Sequence, residues 1–136
     1  MGNVPSINWT FANNTKIPIE VFSLYSVKSG IISISDISYD VFEKIKKSNF
    51  SNVTARIHVY EEMLILFFEF ATETEPNDFE FVHFGLVPTN DFFATLNSNP
   101  KIRIKTKEFL FTTECIKKIN ETLSEFKEKY PDNLLL

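Results

Sequence analysis

The chain has 136 residues, of which 43% are apolar and 24% charged, and its formal net charge is −4. This length predicts one domain with a core of its own, and a single cysteine excludes an internal disulfide, which favours a reducing, cytoplasmic setting. The net acidity argues against binding to nucleic acid or to an anionic membrane surface, and no apolar run approaches the roughly 20 residues of a spanning helix.

The first part of the chain predicts strands followed by a helix. Ile7–Ala12 and Ile17–Ser26 are rich in β-branched and aromatic residues, and Ile31–Ile34 forms a short third segment of the same kind. Ser38 is a candidate N-cap, and the helix that it begins should run to about Lys47.

The rest of the chain predicts a run of strands that is then interrupted by helices. The elements are the strands Val53–Tyr60, Met63–Ala71 and Phe79–Val87, a short helix over Thr89–Leu96, a strand over Lys101–Phe111, and a last helix capped by Thr112 or Thr113 and ended by Pro131. Adjacent strands indicate antiparallel pairing. We therefore expect one α+β domain over residues 1–136, with a mainly antiparallel sheet of about six strands and three helices packed on it.

The charges are sorted along the chain. The 44 residues from Ile57 to Pro100 contain eight acids and no Lys or Arg, whereas each flank carries a small positive excess. A surface of one sign raises the local concentration of an oppositely charged partner and speeds encounter with it. The predicted partner-binding residues are the acids around the central hairpin: Glu61, Glu62, Glu69, Glu73, Glu75, Asp78 and Glu80.

The hairpin formed by Met63–Ala71 and Phe79–Val87 concentrates this charge. A register symmetric about its loop would place Ala71 opposite Asp78 and Glu69 opposite Glu80, and the mutual repulsion of the two glutamates would be relieved by a basic partner. The alternative is an acidic hairpin tip that is only solvated, where its charges prevent edge pairing.

The strand over Lys101–Phe111 has the opposite character. Its four cations, Lys101, Arg103, Lys105 and Lys107, alternate with apolar or small residues, which would place them on one face of one strand. Three interpretations are open: a stripe that binds anions, a solvated edge strand, and a strand that lies beside the acidic strands and neutralises them.

Few residues offer catalytic chemistry. His58 and His83 lie in two different predicted strands and could act as an acid–base pair in a small hydrolase, although no third group accompanies them. Cys115 lies in the first turn of the last helix beside its apolar stripe, which favours a buried structural thiol. The sequence contains no zinc-binding spacing and no phosphate-binding loop. We expect no catalytic residue, no metal and no cofactor.

A small acidic α+β chain that has one cysteine and no catalytic motif resembles the immunity proteins of bacterial contact-dependent growth-inhibition and related toxin systems. The residues behind this resemblance are Glu69, Glu73, Glu75, Asp78 and Glu80. The resemblance implies binding to a cognate toxin domain, often a nuclease, whose basic cleft the carboxylates would occupy as phosphate mimics. The expected partner is thus a basic toxin protein, with neither a membrane nor nucleic acid bound directly.

A second resemblance leads to another class of protein. From Ser38 onward the predicted order of one helix, three strands, a helix, a strand and a helix is similar to that of small acidic secretion chaperones. Those proteins are dimers that hold an unfolded effector segment. The strands before Ser38 are additional to that order.

Overall fold

The computed structural model describes residues 4–10, 23–37, 39–47, 52–133 and 135. Within these ranges the chain forms eight strands and three helices. The strands are β1 (Ser6–Trp9), β2 (Leu24–Lys28), β3 (Ile31–Asp36), β4 (Asn52–Tyr60), β5 (Met63–Glu75), β6 (Asp78–Leu86), β7 (Lys101–Ile104) and β8 (Lys107–Phe111), and the helices are α1 (Tyr39–Lys47), α2 (Asn90–Ser98) and α3 (Thr113–Lys129).

The strands form one mixed sheet in the order β2-β3-β7-β8-β1-β4-β5-β6. Three of the pairings are parallel, namely β1 with β4, β1 with β8, and β3 with β7. The sheet is so strongly curled that it makes a half-barrel. The backbone N–H of Ser23, directly before β2, donates to the Gly85 carbonyl of β6 at 2.9 Å, so the two ends of the sheet approach each other.

The predicted fold class is wrong in both strand number and pairing. The described sheet has eight strands, and β1 lies in its middle with parallel partners on both sides. The predicted strand Lys101–Phe111 is a hairpin, because Lys105 adopts φ +53° and reverses the chain between β7 and β8. Chain order favoured pairing of neighbouring segments, but the partners of β1 are separated from it by some 45 and 100 residues.

The three predicted helices are present. Thr89 caps α2 by accepting a hydrogen bond from the Phe92 N–H, and Thr112 caps α3 by accepting from the Cys115 N–H. Such caps satisfy amide groups that have no partner within the helix. The predicted cap of α1, Ser38, lies outside the described residues, as do Phe11, Ala12 and most of the predicted strand Ile17–Ser26.

Phenylalanine rings fill the space between the curled sheet and the helices. Phe84 of β6 stacks on Phe68 and Phe70 of β5 with centroid distances of 4.9 and 5.6 Å, and Phe109 of β8 meets Phe70 edge-on at 5.3 Å. All four side chains are fully buried. Because burial of one such ring contributes about 1.5–3 kcal/mol, this aromatic cluster is a principal source of stability.

Candidate functional site

The connection between β5 and β6 is shorter than the sequence predicts. Both strands continue to the two-residue turn Pro76-Asn77, in which Asn77 has φ +67°, and an irregularity between Glu73 and Glu75 shifts the register. Asparagine tolerates this left-handed conformation better than most residues do.

The predicted opposition of Glu69 and Glu80 is therefore wrong. Glu69 pairs with His83, and Glu80 pairs with Thr72. Ala71 faces Phe81 instead of Asp78, because the turn is centred on Pro76-Asn77, two residues later than the symmetric register assumed, and the irregularity offsets only one residue of this shift.

The far end of this hairpin continues beyond Asn52, the first residue of β4 that the structure describes. The last β4–β5 pair joins Asn52 to Ala71, and residues 72–80 continue past it as a two-stranded segment, which we call the acidic ribbon. The four residues 72–75 of β5 extend about 14 Å past this pair, at about 3.4 Å per residue. Glu75, Asp78 and Glu80 are exposed on it. The backbone of Glu73 belongs to the ribbon, but its side chain lies outside the described part of the structure.

The acids of the central segment do not form one surface. Glu61 and Glu62 occupy the turn between β4 and β5, with φ values of +49° and +64°, at the opposite end of β5 from the ribbon. The 13 residues of β5 separate these two groups by about 40 Å. The Asn133 side-chain amide donates to the Glu62 carbonyl at 2.6 Å, which ties this turn to the segment after α3.

Glu69 lies at neither end of β5. Because Phe68 and Phe70 point into the core, Glu69 points to the opposite face of the sheet, as does His83 beside it. The Nε2 atom of His83 is 2.9 Å from Oε2 of Glu69, and the imidazole ring lies near Phe67 and Phe81, with centroid distances of 6.1 and 6.2 Å. Glu69 thus has a partner within the chain.

Glu80 also has a cationic partner. Its Oε1 atom is 3.3 Å from Nζ of Lys44 on α1, and the two side chains are 48% and 55% exposed. Such an exposed pair contributes little free energy, about 1 kcal/mol or less, so Lys44 could give way to a stronger partner. Of the predicted acids, Glu75 and Asp78 are the exposed members nearest the tip.

Three of the four cations of the predicted basic strand border one groove. Arg103, Lys105 and Lys107 line an open volume of about 650 Å³, which we call the basic groove, together with Val4, Pro5, Thr106 and Glu108. Within it, Nη2 of Arg103 is 3.8 Å from Oε1 of Glu108. Two interpretations of the basic strand disagree with the sheet order. It is not an edge strand, because β7 lies between β3 and β8, and it does not lie beside the acidic strand β5.

The two histidines are not brought together. His58 faces Ile65 and His83 faces Glu69, so the two are separated by four positions along β5 and by two strand spacings, which amounts to about 17 Å. Partial burial, and secondarily the charge of Arg56, lower the pKa of His58. This distance is too large for the two imidazoles to act on one bond.

Cys115 is a core residue. Its side chain is fully buried, and burial, together with the nearby charge of Glu114, raises the pKa of the thiol to about 12. The nucleophilic thiolate is thus disfavoured at neutral pH despite the position of Cys115 at a helix N-terminus. Among the described residues, no group of three or more His, Cys, Asp or Glu is arranged to hold a metal ion.

A second cleft, which no sequence pattern indicated, lies where the two ends of the sheet approach each other. It has a volume of about 470 Å³ and is lined by Ser23, Leu24, Tyr25, Val27, Val87, Thr89 and Asp91. The Tyr25 hydroxyl accepts from the Thr89 N–H at 2.8 Å and lies 3.0 Å from the Thr89 hydroxyl. Because these residues are 64 positions apart, no local pattern could reveal the contact.

Comparison with protein-family models, with curated proteins and with solved structures found no match to this chain. In the part of the chain that the structure describes, none of the helices combines the length and the apolar character needed to cross a membrane.

Proposed function

We propose that this protein is an immunity protein that neutralises a cognate toxin, such as one of a contact-dependent growth-inhibition system, by inserting the acidic ribbon into the toxin's basic active-site cleft. The observation that carries the proposal is that residues 72–80 continue as a two-stranded end past Asn52, the first described residue of β4, with Glu75, Asp78 and Glu80 exposed. The two-stranded end of a hairpin can reach into a cleft that a flat sheet face cannot enter.

The chemistry of a nuclease cleft favours this partner. Nucleases hold the phosphates of their substrate with Lys and Arg, and carboxylates on a ribbon present negative charge in a comparable row. Opposite potentials on the two proteins would speed association and fix the orientation of the complex, while residues at the centre of the interface would determine how long it persists.

The proposal concerns fewer residues than the charge pattern of the sequence implied. Glu75 and Asp78 are the expected principal contacts, with Glu80 exchanging Lys44 for the toxin. Glu61 and Glu62 lie about 40 Å away along β5, and Glu69 is bound to His83, so these three acids are not part of the proposed contact.

The proposed mechanism is occlusion, which requires no catalytic residue, metal or cofactor. It would operate in the cytoplasm, where a nuclease toxin meets its substrate and where Cys115 stays reduced. The alternative of a secretion chaperone has less support, because the strand β1, which is extra to the chaperone-like order, lies in the middle of the sheet between β8 and β4.

Capture from lysate of the native host tests the proposal. The wild type should retain a single basic polypeptide, identified by mass spectrometry, and Glu75→Lys/Asp78→Lys should lose it. The matched control is Glu61→Lys/Glu62→Lys, which makes the same change of charge at the other end of β5 and should retain the polypeptide. If both variants captured the polypeptide equally, the ribbon would not be the binding site. If the wild type captured no basic polypeptide, the toxin proposal itself would be wrong.

A further inference from the structure

The acidic ribbon and the basic groove lie at the same end of the half-barrel. The Lys105 N–H at the β7–β8 turn donates to the Ile34 carbonyl at 2.9 Å, where β3 and β7 end side by side. The Leu110 N–H of β8 donates to the Pro5 carbonyl, and Val4 and Pro5, which directly precede β1, line the groove together with Thr106 of this turn. Since β1 and β4 are parallel, β4 also starts at this end, and the ribbon leaves the sheet next to the first residue of β4.

Helix α1 lies between the two charged features. On one side, Nζ of Lys105 is 5.0 Å from the centre of the Phe42 ring, and Nζ of Lys107 is 3.5 Å from the Ile45 carbonyl oxygen. On the other side, Lys44 reaches Glu80 of the ribbon. We call this part of the molecule the α1 end. It presents negative charge on one flank of α1 and positive charge on the other.

Exposed apolar groups accompany these charges. Tyr39, in the first turn of α1, is 70% exposed, and Val4, at the border of the basic groove, is 45% exposed. A large exposed aromatic residue flanked by charged groups is typical of the centre of a protein interface, where such residues provide most of the binding free energy.

We propose that the α1 end is a self-association surface, and that a second copy of this chain places its acidic ribbon in the basic groove. A two-fold axis that passes between the two copies of α1 exchanges the two flanks, so the negative flank of each copy meets the positive flank of the other. The groove has three cations and one acid, Glu108, in its lining, so its charge is opposite to that of the carboxylates on the ribbon.

The charges and the apolar residues would have different roles in this dimer. Exposed ion pairs each contribute at most about 1 kcal/mol, so they select the orientation, whereas contact of Tyr39 and Val4 with the second copy removes apolar surface from water. This inference rests on the ribbon of the proposed function, since the dimer would cover that ribbon until a basic partner of higher affinity displaced the second copy.

A charge-swap experiment tests the dimer directly. Sedimentation equilibrium of the wild-type protein over a concentration series should give a dimer that dissociates as salt screens the charges. Glu75→Lys/Asp78→Lys, which makes the ribbon basic, and Arg103→Glu/Lys105→Glu, which makes the groove acidic, should each weaken self-association by at least about tenfold. A mixture of the two variants should recover a heterodimer, because one of its two contacts then joins the reversed charges and the other joins the original ones.

Two controls make the result specific. Glu61→Lys/Glu62→Lys changes the charge equally at the other end of β5 and should leave the dimer intact, and circular dichroism confirms that each variant is folded. A wild type that sediments as a monomer throughout, or a mixture that stays monomeric, would overturn the inference.

The outcome is separable from that of the proposed function. Arg103→Glu/Lys105→Glu leaves the ribbon unchanged, so it should lose self-association yet still capture the basic polypeptide from lysate. If the ribbon variant Glu75→Lys/Asp78→Lys lost capture of the polypeptide but still dimerised, the toxin-binding proposal would be supported and the proposed dimer contact would be wrong.

Discussion

His83 and Glu69 form a hydrogen-bonded pair across β5 and β6 on the sheet face opposite the phenylalanine core, with 2.9 Å between Nε2 and Oε2. The two side chains are 30% and 36% exposed, so water screens part of their attraction. A double-mutant cycle with Glu69→Ala and His83→Ala should therefore give a coupling free energy of about 0.2–1 kcal/mol, measured by urea denaturation. A coupling of zero would mean that the contact does not contribute to stability.

The aromatic cluster should dominate stability in comparison with such surface pairs. Phe84 contacts both Phe68 and Phe70 and has no exposed surface, so Phe84→Ala should lower the free energy of unfolding by about 3–5 kcal/mol. The control is Phe81→Ala on the same strand, whose ring is 51% exposed and whose removal should cost clearly less. Similar losses from both substitutions would contradict the assignment of the two faces of β6.

The helices could be predicted from the sequence because their signals are local. In α3, the apolar residues Ile119, Leu123 and Phe126 recur at the helical period, and the Thr112 cap stands directly before the first turn. Similarly, Thr89 and its hydrogen bond to the Phe92 N–H lie within one turn. Such features depend on residues three or four positions apart and do not depend on the rest of the fold.

The sheet and the site could not be predicted in the same way, because they depend on partners distant in the sequence. Nothing in Ser6–Trp9 specifies β8 and β4 as its neighbours. In the hairpin, the turn lies at Pro76-Asn77, two residues beyond the assumed centre of the loop, and this displacement together with the irregularity between Glu73 and Glu75 places His83 opposite Glu69. The charge pattern indicated which acids to consider, but it could not show that β5 separates them between its two ends.

Gly85 should be required for close packing on the outer face of β6. A Cβ atom at this position would lie 3.1 Å from Cδ2 of Phe67 and 3.3 Å from Cγ2 of Ile65, both of which are buried side chains. Gly85→Ala should thus lower the free energy of unfolding by about 1–3 kcal/mol through overpacking. In a Phe67→Leu background the cost of Gly85→Ala should be smaller, because the shortened side chain leaves room for the added methyl group.

The matched control for this prediction is Gly30→Ala, where the cause of the cost is different. Gly30 has φ +74°, and no atom lies within 4 Å of the position that a Cβ atom would occupy, so only backbone strain opposes the substitution. Phe67→Leu should leave that cost unchanged. If both alanine substitutions responded equally to Phe67→Leu, packing against Phe67 would not explain the requirement for Gly85.

His58 should make stability depend on pH in the acidic range. Partial burial and Arg56 lower its pKa in the folded state below the ordinary value of 6.5, so the unfolded chain binds the proton more readily. The contribution of neutral His58 to the free energy of unfolding is thus present above pH 6.5 and is lost as pH falls through the lowered pKa. His58→Gln should make the decline of stability shallower in that interval, as measured by urea denaturation over a pH series.

Cys115 should act at the opposite end of the pH scale. Its thiol pKa is raised from 9.0 to about 12 in the folded protein, so the thiol is neutral there while the unfolded chain loses its proton from about pH 9 upward. The stability that the neutral thiol provides is complete below pH 9 and declines as pH rises towards 12. Cys115→Ala should remove this component of the decline, although the lost methyl-sized volume lowers stability at every pH. The rate at which a thiol reagent modifies Cys115 at neutral pH is an independent measure of its burial. The reagent should react only at the rate of unfolding. Rapid reaction with the native protein would contradict the buried position of the thiol.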